Sequence, residues 1–276
     1  MSENGNLSSA KAAKNDEFYT QYSDIEAEMN AYYEFNHNVF RGKTILCPCD
    51  DPEWSNFTKY FAANFERFGL KKLISTSYAK SAGNRQLSLF EQESQNYDPE
   101  KHETHGKLFV MTGDTDHSGY ADTNDIQFSG YLNGDGDFRS NEVTALRDEA
   151  DIIVTNSPFS LFREFLAWIM DGKKQFIIIG NQNAITYKEI FPLLKSNKIW
   201  LGPGFSGGNA YFKIPSNTKR EFASGVYDGK TGLVKFRNVI WFTNIDHFGH
   251  HEPLILGILK NWWNPLPSGG GFFCYS

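Results

Sequence analysis

Between Thr44 and Gly180 the chain alternates short apolar stretches with segments whose apolar residues recur every three or four positions. No other feature restricts the fold as much. The short stretches are bounded by turn residues and read as strands buried on both faces, with helices covering them. Thr44–Cys49 is β-branched and apolar and stops at Pro48-Cys49-Asp50-Asp51-Pro52. Ser55 or Asn56 then suits a helix cap, and Phe57, Phe61, Phe65 and Phe68 fall on one helical face before Gly69, a natural stop. Lys72–Tyr78 and Lys107–Thr112 read as strands on either side of a polar loop, Lys80–His105, and Ile126–Leu132 as a hairpin strand. A helix is expected over Asn141–Ala150 and a buried strand over Asp151–Thr155. Ser160 opens a helix with Leu161, Phe165, Trp168 and Ile169 along one stripe, ended by Gly172. Gln175–Gly180 is strand again, and Thr186–Lys195 a helix that Pro192 kinks or shortens. Beyond Ile199 the pattern is β-rich, over Ala210–Ile214 and Val234–Thr243. This order predicts an α/β fold with a mostly parallel, doubly wound sheet and a β-rich C-terminal part. Ligands of such sheets lie beyond the carboxyl ends of the strands, so chemistry is sought in the loops after Cys49, Leu132 and Thr155.

Composition narrows the class. With 276 residues, 40 % hydrophobic and 22 % charged, the chain is long enough for one large domain and too apolar for wholesale disorder. Its longest apolar runs, such as Phe176–Ile179, fall far short of the ~20 residues a membrane span needs. Residues 1–13 read as a flexible polar tail without a secretory signal, and Cys47, Cys49 and Cys274 offer neither a disulfide framework nor a metal spacing, so a cytoplasmic setting is expected. The net charge of −6 argues against indiscriminate coating of nucleic acid but leaves room for a local basic groove.

The most informative residues are Asn156, Ser157, Pro158 and Phe159. Asn-Ser-Pro is ordinary turn chemistry, and an aromatic after it is commonly core. Position favours a functional reading, because the tetrapeptide joins a buried strand to a Ser-capped helix where such a sheet binds ligand. The Asn156 carboxamide oxygen and the Ser157 carbonyl suit two hydrogen bonds from an amino group conjugated to a ring. Pro158 stiffens the turn, and Phe159 offers the ring a stacking face. Acceptors alone guide the proton away, so the turn needs no carboxylate base.

The turn resembles the Asn-Pro-Pro-Tyr/Phe motif of S-adenosylmethionine-dependent amino-methyltransferases, with Ser157 replacing the first proline. Further segments, in order and spacing, resemble the EcoRI-type adenine-specific DNA methyltransferases: Lys14–Gln21 with Asp24-Ile25-Glu26, Cys49–Pro52 with Ser55-Asn56-Phe57, Gly134–Ser140, Asn156–Arg163 and Asn183–Lys188. The resemblance covers about residues 14–256. It implies a Rossmann-like fold, S-adenosylmethionine as methyl donor without a metal, and N6 of adenine in double-stranded DNA as acceptor. By the same resemblance Phe18, Tyr19 and Thr20 close over the methionine part of the cofactor, and Asp50 and Asp51 face its ammonium group. Asp137 sits near the cofactor adenine or the target, and Asn156 to Phe159 form the catalytic turn. Loop or cap duty is the ordinary alternative for each acid, and Asn133-Gly134-Asp135-Gly136-Asp137 is also a good turn.

The chain departs from the pattern in three places. There is no glycine between Cys47 and Phe68, a trait the resembling family shares; the second strand ends without the acid that commonly holds the cofactor ribose; and Asn261–Ser276 matches nothing expected there. The expected organisation is therefore a tail (1–13), a catalytic domain (14–250) and an atypical C-terminal region (251–276), suggesting a truncated or altered frame. His247, His250 and His251 with Asp246 and Glu252 fit a solvated or folded loop better than a metal site. Cys47-Pro48-Cys49 fits a strand end, and Gly202–Gly208 a loop flanking the site rather than a phosphate loop. Lys213, Lys219, Arg220, Lys230, Lys235 and Arg237 suit a DNA-facing edge or, equally, a solvated face. The rival functions are the same transfer to RNA adenine or to a protein glutamine, and a non-catalytic remnant that binds DNA or cofactor. A cognate restriction endonuclease is the partner the family implies.

Overall fold

A computed structural model describes residues 19–52, 55–79, 97–205, 209–213 and 225–251. The expected tail, Phe18, Lys219, Arg220 and everything from Glu252 onward lie outside the described residues. In chain order the strands are β1 (Tyr19–Thr20), β2 (Thr44–Cys47), β3 (Lys72–Thr76), β4 (Lys107–Met111), β5 (Gln127–Tyr131), β6 (Ile152–Asn156) and β7 (Gln175–Asn181). They continue with β8 (Trp200–Leu201), β9 (Ala210–Lys213), β10 (Tyr227–Asp228), β11 (Leu233–Phe236) and β12 (Val239–Thr243). The helices are α1 (Tyr22–Phe35), α2 (Asn56–Ala63), α3 (Phe65–Phe68), α4 (Asn141–Glu149), α5 (Phe162–Asp171) and α6 (Phe191–Lys195).

Among the described residues the larger sheet has eight strands, in the order β5-β4-β3-β2-β6-β7-β12-β8. Only β3, β2, β6 and β7 run parallel to one another. The flanking pairs β3–β4, β4–β5, β7–β12 and β12–β8 are antiparallel, which corrects the expected mostly parallel sheet to a mixed one. Between β4 and β5 the described residues hold a 3-10 turn, Thr123–Asp125, and no α-helix, and a chain without a crossover helix returns in the opposite direction. From β2 the chain steps out to β3 and later returns to the other side of β2 as β6, so the topological switch point lies between β2 and β6.

Two apolar layers cover this sheet. On one face Phe57, Phe61, Phe65 and Phe68 pack with Ile25, Met29 and Tyr32 of α1. On the other, Val143 of α4 packs with Phe162, Phe165, Leu166 and Ile169 of α5. Burying each of these large apolar side chains stabilises the fold by about 1.5–3 kcal/mol. The expected single phenylalanine helix is broken at Asn64 into α2 and α3, and Gly69 closes α3 in a left-handed conformation. Pro192 stands in the first turn of the short α6, where its missing N–H costs no helix bond. Val234–Thr243 is two strands, separated by Arg237 and Asn238. Helix α1 was not foreseen: its buried side includes Glu28, which interrupts the apolar spacing. A second, antiparallel sheet, in the order β1-β9-β11-β10, ties the N-terminal segment to the late strands.

Candidate active site

In the loop after β2, Cys49 takes a φ of 59°, which turns the chain sharply off the strand. The Asp50 amide donates to the Thr76 carbonyl at 2.7 Å, and the Ser75 hydroxyl donates to the Asp50 carbonyl, so the loop is pinned to the end of β3. The Asp50 carboxylate turns toward α2, where one oxygen accepts from the Ser55 hydroxyl. The other accepts from the Thr58 amide at 3.0 Å and from the Thr58 hydroxyl. Burial pushes this carboxyl up to about 6, against the pull of Ser55 and Thr58. Asp50 thus organises the loop and the start of α2. Asp51, 9 % exposed, instead lies 4.0 Å from the ammonium group of Lys107, which is 5 % exposed at the start of β4. The two adjacent acids have different neighbours and therefore different chemistry.

Asn133–Asp137 lies against the same edge. Its backbone is stitched to β3 and β4 by the Ala79 amide donating to the Asp135 carbonyl (2.7 Å) and the Gly106 amide to the Gly134 carbonyl (2.8 Å). Gly136 makes this approach with φ +84°, and a Cβ there would sit 2.1 Å from the Ser77 carbonyl oxygen. The glycines therefore bring Asp135 and Asp137 to the sheet as well as turning the chain. The Asp137 carboxylate accepts from the Arg139 side chain at 2.9 and 2.6 Å, and Arg139 reaches on to Glu164 at 2.9 Å. Low-polarity surroundings, with the negative charges of Asp137, Asp50 and Asp135, push the Cys49 thiol up to about 12 and keep it protonated. The loop that carries Asp50 and the loop that carries Asp135 and Asp137 both border Cys49.

The turn Asn156–Phe159 leaves the carboxyl end of β6 beside them. The Thr155 hydroxyl donates to the Pro48 carbonyl at 2.8 Å, fastening β6 to the β2 loop. Ser157 is 2 % exposed, and its hydroxyl donates to the Ile179 carbonyl of β7 at 2.5 Å. The serine that stands where the resembling motif has a proline therefore adds a tie to the neighbouring strand. Pro158 precedes a 3-10 turn, Phe159–Leu161, that leads into α5, and the half-buried Phe159 packs against the phenylalanine core. Asn156, the last residue of β6, is half-buried at the mouth of the switch point.

Tyr19 and Thr20 form β1, whose Thr20 carbonyl accepts from the Asn56 side-chain amide at 2.7 Å at the start of α2. The Thr20 hydroxyl is buried and has no hydrogen-bond partner among the described residues, as suits a group that serves a ligand. Of the expected site residues, all but Phe18 are described; the β2 loop, the Asp137 loop and the Asn156–Phe159 turn gather at one edge, and Thr20 is tied to the helix that follows the first of these. Lys107 was missed, although a lone lysine heading the apolar run Leu108–Met111 was a signal for it.

The histidine segment lies elsewhere. β12 runs opposite to β7 and ends beside Ile177, so the segment after it leaves toward the amino edge of the parallel strands. Asp246 hydrogen-bonds the rings of His250 (2.7 Å) and His251 (2.8 Å), and the His250 ring stacks on Trp200 at 3.9 Å. The ligand atoms that Asp246, His250 and His251 offer lie within 4.8 Å of one another.

The chain matches the family model for the adenine-specific methyltransferase EcoRI over residues 6–264. It is 42 % identical over 251 residues to the Type II methyltransferase M.EcoRI of Escherichia coli, covering 91 % of this chain and 71 % of that protein. Identity is 34 % over 239 residues to the Type II methyltransferase M.MpnI of Mycoplasma pneumoniae, covering 86 % of this chain and 63 % of the relative. For M.MgeORF184P of Mycoplasma genitalium it is 32 % over 252 residues, covering 89 % and 66 %. No solved structure matches the chain. A family match over nearly the full length, with 42 % identity to M.EcoRI over 91 % of the chain, places this chain among the EcoRI-type adenine-specific methyltransferases.

Proposed function

We propose that this methyltransferase moves the methyl group of S-adenosylmethionine to N6 of an adenine in double-stranded DNA, with Asn156–Phe159 as the catalytic turn. The observation that carries the proposal is the position of that turn, at the carboxyl end of β6 and tied by Thr155 to the acidic loop after β2. The cofactor supplies an electrophilic methyl on a sulfonium, so the protein needs only to hold and orient the acceptor. The residues present suit it: a buried hydroxyl at Thr20, a buried acid at Asp51 for an ammonium group, and the acids Asp135 and Asp137 on a second loop. Asp50 holds the loop that presents Asp51.

The target adenine is rotated out of the duplex, at a cost of a few kcal/mol, and stacks on Phe159. Its exocyclic amino group donates to the Asn156 side-chain oxygen and to the Ser157 carbonyl. Both acceptors draw the N–H protons into the plane of the turn and leave the nitrogen lone pair facing the methyl group, so no carboxylate base is required. The Type II names of the relatives suit a restriction–modification setting, with an endonuclease of matching specificity as the partner. Among the described residues no helix is long and apolar enough to cross a membrane.

The test is transfer of label from S-adenosylmethionine with the full chain and unmethylated duplex DNA, RNA of the same sequence, or a glutamine-containing peptide. Label on N6 of DNA adenine is expected. Label on RNA or peptide alone, or on none of the three, overturns the proposal.

A further inference from the structure

We infer that the outward face of the small sheet β1-β9-β11-β10 is the cradle for the DNA backbone beside the flipped adenine; the inference rests on the function proposed above and extends it to a surface. The sheet is fastened to the catalytic edge at two points. Only Arg237 and Asn238 separate β11 from β12, whose first residue, Val239, pairs with Asn181 at the carboxyl end of β7. At the other point, Thr20 of β1 is tied to Asn56, at the head of the helix that follows the Asp50–Asp51 loop.

The two faces of the sheet differ sharply. In β9, Ala210 and Phe212 are buried in the core with Trp241, whereas Tyr211 and Lys213 are exposed. The register sets Tyr211 opposite Lys235 and Lys213 opposite both Leu233 and Tyr19. Cross-strand partners share a face, so Tyr19, Tyr211, Lys213 and Lys235 stand together on the outer side. The Lys235 ammonium group lies 5.8 Å from the centre of the Tyr211 ring. Asp228, an acid paired to this face through Leu233, turns to its own β-turn, accepting from the Lys230 amide at 2.9 Å and the Thr231 hydroxyl at 2.8 Å.

Lysines on an outward pleat beside aromatic rings suit a polyanion that extends past the reaction centre. The chain as a whole carries a net charge of −6, so a basic face at this edge orients an approaching duplex. Of the basic residues that suit a DNA-facing edge or a solvated surface, Lys213 and Lys235 share the face beside the site, Lys230 and Arg237 lie in the turns on either side of β11, and Lys219 and Arg220 lie outside the described residues.

The test compares the full chain with the pair Lys213→Glu/Lys235→Glu, the milder Lys213→Gln/Lys235→Gln, and the control Lys71→Glu/Lys173→Glu. The control lysines are exposed at the start of β3 and just before β7, on the opposite edge of the sheet, and give the same charge change as the first pair. Duplex binding is read by fluorescence anisotropy across a salt series, S-adenosylmethionine binding by calorimetry, and methyl transfer in the same samples. The Glu pair is expected to weaken duplex binding at least about tenfold and to flatten the plot of log K against log salt by about two. The Gln pair falls between, the control stays within about threefold, and cofactor binding is unchanged. Equal loss in the Glu pair and the control overturns the inference, because the effect would then be net charge. Unchanged DNA binding in the Glu pair, or parallel loss of cofactor binding, also overturns it. Absence of methyl transfer to DNA by the unaltered chain is the separate failure of the proposed function.

Discussion

The Ser157 hydroxyl donates to the Ile179 carbonyl across the β6–β7 boundary at 2.5 Å, so the turn's second residue is held by the neighbouring strand. Its carbonyl, proposed as an amine acceptor, is thereby oriented from behind. Ser157→Ala is expected to cost about 1 kcal/mol of stability and to lower kcat more than it raises KM for DNA. Thermal melting and steady-state methylation check this; equal effects on both constants would mean that the tie only supports the fold.

Asn156→Ala removes the side-chain acceptor and touches no proposed contact to the methionine part of the cofactor. Methyl transfer should fall at least about 100-fold. Affinity for S-adenosylmethionine by calorimetry should stay within about twofold of the parent. Matching losses would make Asn156 a structural residue.

Phe159 is read as a stacking platform, which separates ring from hydroxyl. Phe159→Tyr should bind a duplex with a mismatched target adenine as the parent does, whereas Phe159→Ala should lose about 1–3 kcal/mol of that binding. Indistinguishable affinities for the two variants would remove Phe159 from the base pocket.

Gly136 approaches the Ser77 carbonyl too closely for any side chain, and its φ is +84°. Gly136→Ala should lower stability by more than about 1 kcal/mol and displace the loop that carries Asp135 and Asp137. A variant with unaltered melting and cofactor affinity would show that this packing is not needed.

Glu28 sets a pH dependence. Buried in α1, it accepts from the Tyr32 hydroxyl at 2.8 Å and the Gly204 amide at 3.1 Å, and burial pushes its carboxyl from 4.5 up to about 8. A raised carboxyl binds its proton more tightly folded than unfolded. Its contribution is therefore complete below about pH 4.5, declines as the pH rises, and is lost above about 8. Glu28→Gln should flatten the fall of the melting temperature between pH 5 and pH 8 (roughly the window set by that shift). An identical slope in the variant would show that Glu28 does not stay neutral in the fold.

The centre of the molecule was legible in the sequence because its signals are local. Thr44–Cys47 and Ile152–Asn156 are apolar runs cut off by turn residues, and the residues just past them, Asp50-Asp51 and Ser157-Pro158, lie at the site. The sense of the flanking strands was not legible, because β4 and β12 differ from a parallel strand in the route that brings the chain to them. Nor was α1, whose buried Glu28 accepts from Tyr32 one turn on with one carboxyl oxygen, while its other oxygen takes the amide of the distant Gly204. Lys107 and Asp51 are 56 positions apart, and no spacing rule joins them. Asp50 and Asp51 looked equivalent in the sequence; Ser55 and Thr58 separated them by claiming the first.

Tyr19 and Thr20 find their strand partners in Lys213 and Phe212, near the far end of the described chain. During synthesis, then, the segment that emerges early must wait until β9 has been made before it has its strand partner. The core strands β2, β3, β6 and β7 assemble in the meantime from neighbours closer in sequence, at lower entropic cost. The strand that carries Thr20 is thus placed only after β9 has formed, so a nascent chain interrupted before Lys213 holds the Asn156–Phe159 turn but leaves that edge unsealed.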